Sequence, residues 1–187
     1  MATYSSQGLL GLVVFTVLLL ALNFNLSMQA CSPSGFLKGE AGNCNKEFNA
    51  ECCESGEKYA QFKCSPPVND KTRATMTINS FAKGGDGGGE SSCDGRFHSD
   101  KELVVALSSG WFDDGSRCNK NIKINAKGKT VLAKVVDECD SVNGCDEEHD
   151  FQPPCPNNIV DASPAVWKAL GITGEDVGQF DITWTDA

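Results

Sequence analysis

Ten cysteines, all of them after residue 30, constrain this 187-residue chain more than any other feature. They are Cys31, Cys44, Cys52, Cys53, Cys64, Cys93, Cys118, Cys139, Cys145 and Cys155. An even set in a chain that leaves the cell reads as a disulfide framework with no thiol left over. Ten cysteines allow on the order of 900 pairings, so their order alone does not pair them. Each native bridge typically contributes ~2–4 kcal/mol, which suits a fold that persists outside the cell. The N-terminus points the same way. Leu9 to Leu22 is an uncharged apolar run, short of the ~20 residues that a bilayer span needs. Asn23, Asn25 and Ser27 follow it, and Met28-Gln29-Ala30 is a small-residue cleavage site. Residues 1–30 are therefore read as a signal peptide, although no Lys or Arg precedes the apolar run. Nothing downstream is apolar enough to enter a membrane, so cleavage is expected to leave a soluble chain.

The mature chain carries all of a formal charge of −9, with a sequence pI of about 4.7. A nucleic-acid surface needs a basic patch, so that class of partner is excluded. The densest charge is the acidic stretch from Asp137 to Asp150, which suits solubility or a partner with a basic face. Composition changes at Pro66-Pro67. Residues 31–67 hold five of the ten cysteines and too little apolar surface to fold alone, so they are read as a Cys-rich extension. Residues 68–187 are read as the main domain.

That domain is patterned for strands. Ala74, Met76 and Ile78 alternate with Thr75, Thr77 and Asn79. Val104-Val105-Ala106-Leu107 suits a strand covered on both faces. Ile122 and Ile124 precede a turn at Asn125-Ala126-Lys127-Gly128, and Val131, Ala133 and Val135 line a return strand over 129–137. One short helix is marked by Ser163 as N-cap, Pro164 at the first position and Gly171 as stop. Phe180, Ile182 and Trp184 close the chain as a final strand. Short strands, one hairpin and one late helix describe a mostly β chain, a small barrel with a helical insert.

Chemical motifs are scarce. The run Gly84-Gly85-Asp86-Gly87-Gly88-Gly89 lacks the Lys-Ser or Lys-Thr of a phosphate loop and reads as a tight turn, with a ligand-facing loop that leaves Asp86 accessible as the alternative. Placing Gly144 sixth in a calcium loop would make Cys139 the first ligand and Asp150 the twelfth, which fails. Cys139, Cys145, His149 and Cys155 are of zinc-binding type, but in an oxidising compartment cysteines pair with each other. No G-x-S-x-G elbow or spare thiol marks a nucleophile. Paired carboxylates, needed roughly 5–10 Å apart for glycoside hydrolysis, remain as an enzymatic option. Asp137 ends an apolar strand, with Asp86, Asp94 and Asp140 as possible partners; the plainer expectation is that Asp137 hydrogen-bonds loop backbone. Trp167 and Trp184 fall on core faces, whereas Trp111 follows a strand and is expected to be exposed.

The ordered blocks Cys31-Ser32-Pro33-Ser34-Gly35, Cys64-Ser65-Pro66-Pro67-Val68, Asn79-Ser80-Phe81, Val104-Val105-Ala106-Leu107-Ser108-Ser109-Gly110-Trp111 and Val135-Val136-Asp137-Glu138-Cys139-Asp140-Ser141 resemble the kiwellin family of plant ripening-related proteins. Gln152-Pro153-Pro154-Cys155, Asn157-Asn158-Ile159-Val160-Asp161 and Ile182-Thr183-Trp184 continue the resemblance to the C-terminus. It is to the shorter type, without an additional N-terminal Cys-rich module. The resemblance implies a six-stranded double-psi β-barrel of the barwin and expansin kind, secreted to the plant apoplast. It also implies a role in ripening and defence, in which some members bind and inhibit pathogen-secreted enzymes, notably chorismate mutase. In polysaccharide-active relatives of this barrel, a strand ending in Asp, similar to Val135-Val136-Asp137, lies beside the groove. The His-Phe-Asp motif of the hydrolytic relatives is absent; Arg96-Phe97-His98-Ser99-Asp100 is the nearest string.

The chain is thus expected to be a monomeric, non-enzymatic defence protein with no cofactor, no metal and no catalytic residue. Asp86, Asp94, Trp111, Asp137 and Asp140, on the 84–94 and 137–150 loops and beside them, are the expected contacts to a protein partner. A cell-wall polysaccharide bound in a groove containing Asp137 is the alternative.

Overall fold

The computed structural model describes residues 31–187, and the signal-peptide reading of residues 1–30 lies outside the described residues. In chain order the strands are β1 (Gly35–Lys38), β2 (Lys58–Gln61), β3 (Thr72–Ile78) and β4 (Val104–Ser108). A short helix α1 (Ser109–Phe112) precedes β5 (Asn121–Ala126) and β6 (Lys129–Cys139). Then come β7 (Ile159–Ala162), helix α2 (Pro164–Leu170) and β8 (Gln179–Asp186).

β3 to β8 close into a six-stranded double-psi barrel in the order β3-β7-β4-β6-β5-β8. Two of its pairings, β3 with β7 and β4 with β6, are parallel, and the others are antiparallel. Closure removes the exposed edges that an open sheet would leave. The alternation read from β3 holds: Ala74 and Met76 enter the barrel core and Thr75 and Thr77 face outward. β4 is buried on both faces. Val105 and Leu107 point into the barrel, and Val104 and Ala106 join Phe81 and Val136 in a smaller cluster on its outer wall. β5 and β6 meet at Lys127-Gly128, both with positive φ (48° and 73°), the geometry of a two-residue turn that follows strand twist.

α2 begins at Pro164 and ends at Gly171, whose φ of 72° is the left-handed stop expected of glycine. Ser163 departs from its expected role. Its hydroxyl does not cap the helix but donates to Glu102 O at 2.7 Å, because the residue is buried against the turn before β4. β6 runs two residues past Asp137. The strand β7, the antiparallel pair β1–β2 and α1 have no counterpart among the elements expected from the sequence.

All ten cysteines are paired, as Cys31–Cys64, Cys44–Cys52, Cys53–Cys145, Cys93–Cys118 and Cys139–Cys155. Among the described residues, none of 31–67 belongs to either apolar cluster of the barrel. This segment is held on the loop after β6 by Cys53–Cys145 and by Phe62 N–H donating to Ser141 O (2.7 Å). Cys53 N–H to Phe151 O (2.9 Å) and Asn45 N–H to Asp150 Oδ2 (2.6 Å) add to this seam. A glycine is required at Gly110, where a Cβ would sit 2.2 Å from Ser65 N.

Candidate functional site

The row Thr77–Asp161–Ala106–Asp137 crosses four adjacent strands of the barrel wall. Ala106 on β4 pairs with Asp161 of β7 on one side and Asp137 of β6 on the other. The β4–β6 register slips between Val105 and Ala106, so β6 carries one extra residue there. Such a bulge re-aims side chains, and here Val136 packs into the outer apolar cluster while Asp137 opens onto a groove. The small Ala106 forms the floor between the carboxylates.

The glycine-rich loop supplies the third acid. Gly85 and Gly87 pass so close to Ser80 O that a Cβ on either would sit 2.7–2.8 Å from it. This folds the loop inward and lets Ser80 N–H donate to Asp86 Oδ1 at 2.9 Å. Asp86 is therefore 6% exposed, which corrects the alternative reading of a loop that leaves it accessible. Burial pushes its pKa up to about 6 against the opposing Ser80 hydrogen bond, with Glu47 and Asp100 adding repulsion. Asp161 is partly exposed and accepts from Thr77 Oγ1 at 2.5 Å. Burial raises its pKa to about 7; the Thr77 bond opposes this, and repulsion from Asp86 and Asp137 adds to it.

Asp137 accepts from Ser92 N–H (2.9 Å), Ser92 Oγ–H (2.6 Å) and Glu138 N–H (2.9 Å). It thereby fastens the 91–98 loop to β6. Glu138, half-buried, takes the Ser109 hydroxyl, and its pKa is raised chiefly by burial. At the rim, Asp140 accepts from Val142 N–H (2.7 Å), Asn143 N–H (2.8 Å) and Asn143 Nδ2 (2.9 Å). Burial alone would raise its pKa, but those bonds and His149 together hold it below the ordinary carboxylate value. His149 lies between Asp146 (Nδ1–Oδ1 2.6 Å) and Asp140 (Nε2–Oδ2 3.4 Å). Burial lowers its pKa and the two carboxylates more than reverse that, leaving it raised.

Two adjoining cavities make up the groove. One of about 130 Å³ is lined by Asp86, Asp137, Asp140, Glu148, His149 and Asp161 among others. The next, of about 350 Å³, shares Asp86 and Asp161 and continues past Thr77, Pro153 and Gln179 to Phe48. No Lys or Arg lines either one. A larger hollow of about 1010 Å³ lies in the N-terminal segment around Cys44–Cys52 and holds none of the groove acids. Among the described residues no three His, Cys, Asp or Glu side chains are placed to hold a metal. The zinc-type cysteines are consumed by Cys139–Cys155 and Cys53–Cys145.

Asp86, Asp137 and Asp140 thus come together, and Asp94 and Trp111 do not join them. Asp94 is pinned in its loop by Arg96 (2.9 Å) and His98 (3.3 Å), and the Arg96 bond is the chief cause of its lowered pKa. Trp111 is 1% exposed, a correction to its expected exposure. Its ring packs edge-on against Trp184 at 5.1 Å, and Nε1 donates to Pro66 O at 2.7 Å. Asp161 was not expected. Besides closing the block Asn157-Asn158-Ile159-Val160-Asp161, it is marked in the sequence only as a carboxylate inside the apolar run Ile159-Val160-Asp161-Ala162.

A family profile described as Kiwellin-1 matches residues 11–187. The chain is 62% identical over 161 residues to putative ripening-related protein 4 of Oryza sativa subsp. japonica, covering 83% of this chain and 74% of that one. It is 53% identical over 149 residues to kiwellin of Actinidia chinensis var. chinensis, covering 79% and 68%. Among solved structures, a Streptomyces papain inhibitor aligns with a TM-score of 0.43 at 20% identity, covering 64% of this chain and 96% of that one. The apo expansin of Clavibacter michiganensis aligns with a TM-score of 0.44 at 19% identity, covering 63% and 50%.

Proposed function

This chain belongs to the kiwellin family, and from that premise we propose that it is a secreted plant defence protein that acts by binding a pathogen-secreted enzyme, such as a chorismate mutase, and not by catalysis. One observation carries the reading. The carboxylates that could have formed an acid–base pair are used as loop fasteners: Asp137 holds three donors and Asp86 and Asp140 hold backbone amides. Loops fixed this way, on a barrel with five bridges, lose little entropy on association. The full pairing of the cysteines supports secretion, and among the described residues no helix is long and apolar enough to cross a membrane.

The partner-facing surface is the acidic rim formed by Asp140, Asp146, Glu147 and Glu148, which suits a partner with a basic face. Asp86 is too buried to test this by charge reversal, whereas Glu148 is exposed at the groove mouth. With the oxidised mature chain as bait in apoplastic fluid from infected tissue, one secreted enzyme is expected to be captured with saturable affinity. Glu148→Arg is expected to weaken it about tenfold, mostly through a slower on-rate at low salt. Equal capture by wild type and variant at every salt concentration would move the interface elsewhere.

A second reading, polysaccharide binding along the groove, is favoured by one observation. Asp161 and Asp137 open together onto a channel that continues to Gln179 and Phe48. It predicts co-sedimentation with insoluble cellulose or chitin, and recovery of all the protein in the supernatant counts against it.

A further inference from the structure

The groove contains two proton-binding arrangements of opposite chemistry. Inside it, Asp86, Asp137 and Asp161 face one another with no cation among the lining residues. The other charged groups that face them are Glu47 and Asp100 beside Asp86, and Glu138, Asp140, Glu148 and Glu51 along the walls. His149 is the one base in the lining and is already bracketed by Asp140 and Asp146. At the mouth that histidine is a latch: the loop from Asp140 to Gln152 is gathered around it, and the same loop receives the N-terminal segment through Cys53–Cys145.

We propose that the groove is an acid-tuned surface, in which the carboxyls of Asp86 and Asp161 keep protons and the His149 latch carries its charge in mildly acidic surroundings, and in which a rise to slightly alkaline pH loosens both together. The proposal rests on the groove's geometry and not on which partner occupies it, so it stands or falls separately from the binding reading.

The two arrangements reinforce each other in sign. Asp86 and Asp161 have folded-state pKa values of about 6 and about 7, above the 3.8 of the free side chain. Each therefore penalises the folded state progressively as pH rises from about 4 through those values, and the penalty is complete above them. His149 is raised in the folded state, so its contribution is fully present below its unfolded value of 6.5 and is lost as pH rises through the folded one. Asp140 and Asp146 are lowered, so their contribution appears above the ordinary carboxylate value and is lost only on strong acidification. Around pH 5 the contributions of His149, Asp140 and Asp146 are present while the penalties at Asp86 and Asp161 are only partly developed. Thr77 Oγ1–H fits the ionised Asp161 carboxylate and tempers the penalty without removing it.

The test is the thermal midpoint of the oxidised mature chain between pH 4.5 and 8.5, for wild type, Asp161→Asn and His149→Gln. Asn keeps an acceptor for Thr77 and cannot ionise. In the wild type the folding equilibrium constant is expected to fall at least about tenfold from pH 5 to pH 8, a midpoint shift of about 3–5 °C. Asp161→Asn is expected to remove the larger part of that slope, with His149→Gln removing a smaller, separate part. A wild-type midpoint that is flat or rises over this interval overturns the proposal, as do variants that keep the wild-type slope. Should Asp161→Asn fail to fold, carbon-detected NMR titration of the wild-type carboxyls decides the matter. Asp86 and Asp161 resonances that move between about pH 5.5 and 7.5 support the proposal, and movement near the ordinary value of about 4 overturns it.

Discussion

Replacing Cys53 and Cys145 together by serine is expected to lower the stability of the oxidised mature chain by about 4 kcal/mol. The bridge closes a loop with a sequence separation of 92, the longest of the five. Loop-closure entropy grows with the logarithm of that span, and the figure allows for the shortcut that Cys93–Cys118 already makes through it. The same substitution in Cys44 and Cys52, a separation of 8, is expected to cost only about 2 kcal/mol. Denaturant unfolding without reductant measures both. The contrast also bears on the groove, because Cys53–Cys145 sets the N-terminal segment against the loop that carries Asp140 and His149. A smaller loss for Cys53/Cys145 than for Cys44/Cys52 would mean that the segment is held mainly by the hydrogen bonds at its seam.

Trp111→Ala is expected to cost about 3–5 kcal/mol, the range for emptying an aromatic site that cannot collapse. The site is rigid because it joins distant parts of the chain. Trp184 of β8 packs edge-on against the ring, Arg117 Nη1 donates to Trp111 O at 2.7 Å, and Pro66 O takes the indole N–H. Trp111→Phe keeps most of the ring but leaves Pro66 O without its donor, and is expected to lose about 1–2 kcal/mol. Equilibrium unfolding that finds Trp111→Ala within ~0.5 kcal/mol of wild type would return Trp111 to the surface, where its sequence position first suggested it.

The misplacement of Trp111 shows where sequence reasoning reached its limit. The strand before it is legible, since Val104 to Leu107 is an unbroken apolar run. The four-residue α1 that swings Trp111 back onto the barrel is too short to show a period. Its burial depends on Trp184 and Pro66, which are far away in sequence. β7 escaped for the same reason, with four residues and no repeat, and Asp161 went with it. β3, the β5–β6 hairpin, α2 and β8 were legible because each has alternation or punctuation with a local cause. The groove was half legible. Asp137 stood out as a carboxylate ending an apolar strand, but its aim depends on the β4–β6 bulge, a property of pairing and not of either strand. The glycines around Asp86 signal a tight turn, but the inward direction that buries Asp86 is fixed by Ser80, which no local pattern shows. The cysteine pairing followed only from the completed fold.

The function proposed for this kiwellin-family chain requires that its bridged barrel present the acid-rimmed groove to a secreted enzyme. The most direct test is a calorimetric titration of the oxidised mature chain with a purified pathogen-secreted chorismate mutase, repeated with Glu148→Arg and with a cello-oligosaccharide in place of the enzyme. A saturable one-site isotherm with the enzyme is expected, weakened about tenfold by Glu148→Arg, with no heat of binding from the oligosaccharide. No binding to the enzyme together with a saturable isotherm for the oligosaccharide would contradict the proposed function and give the groove to polysaccharide.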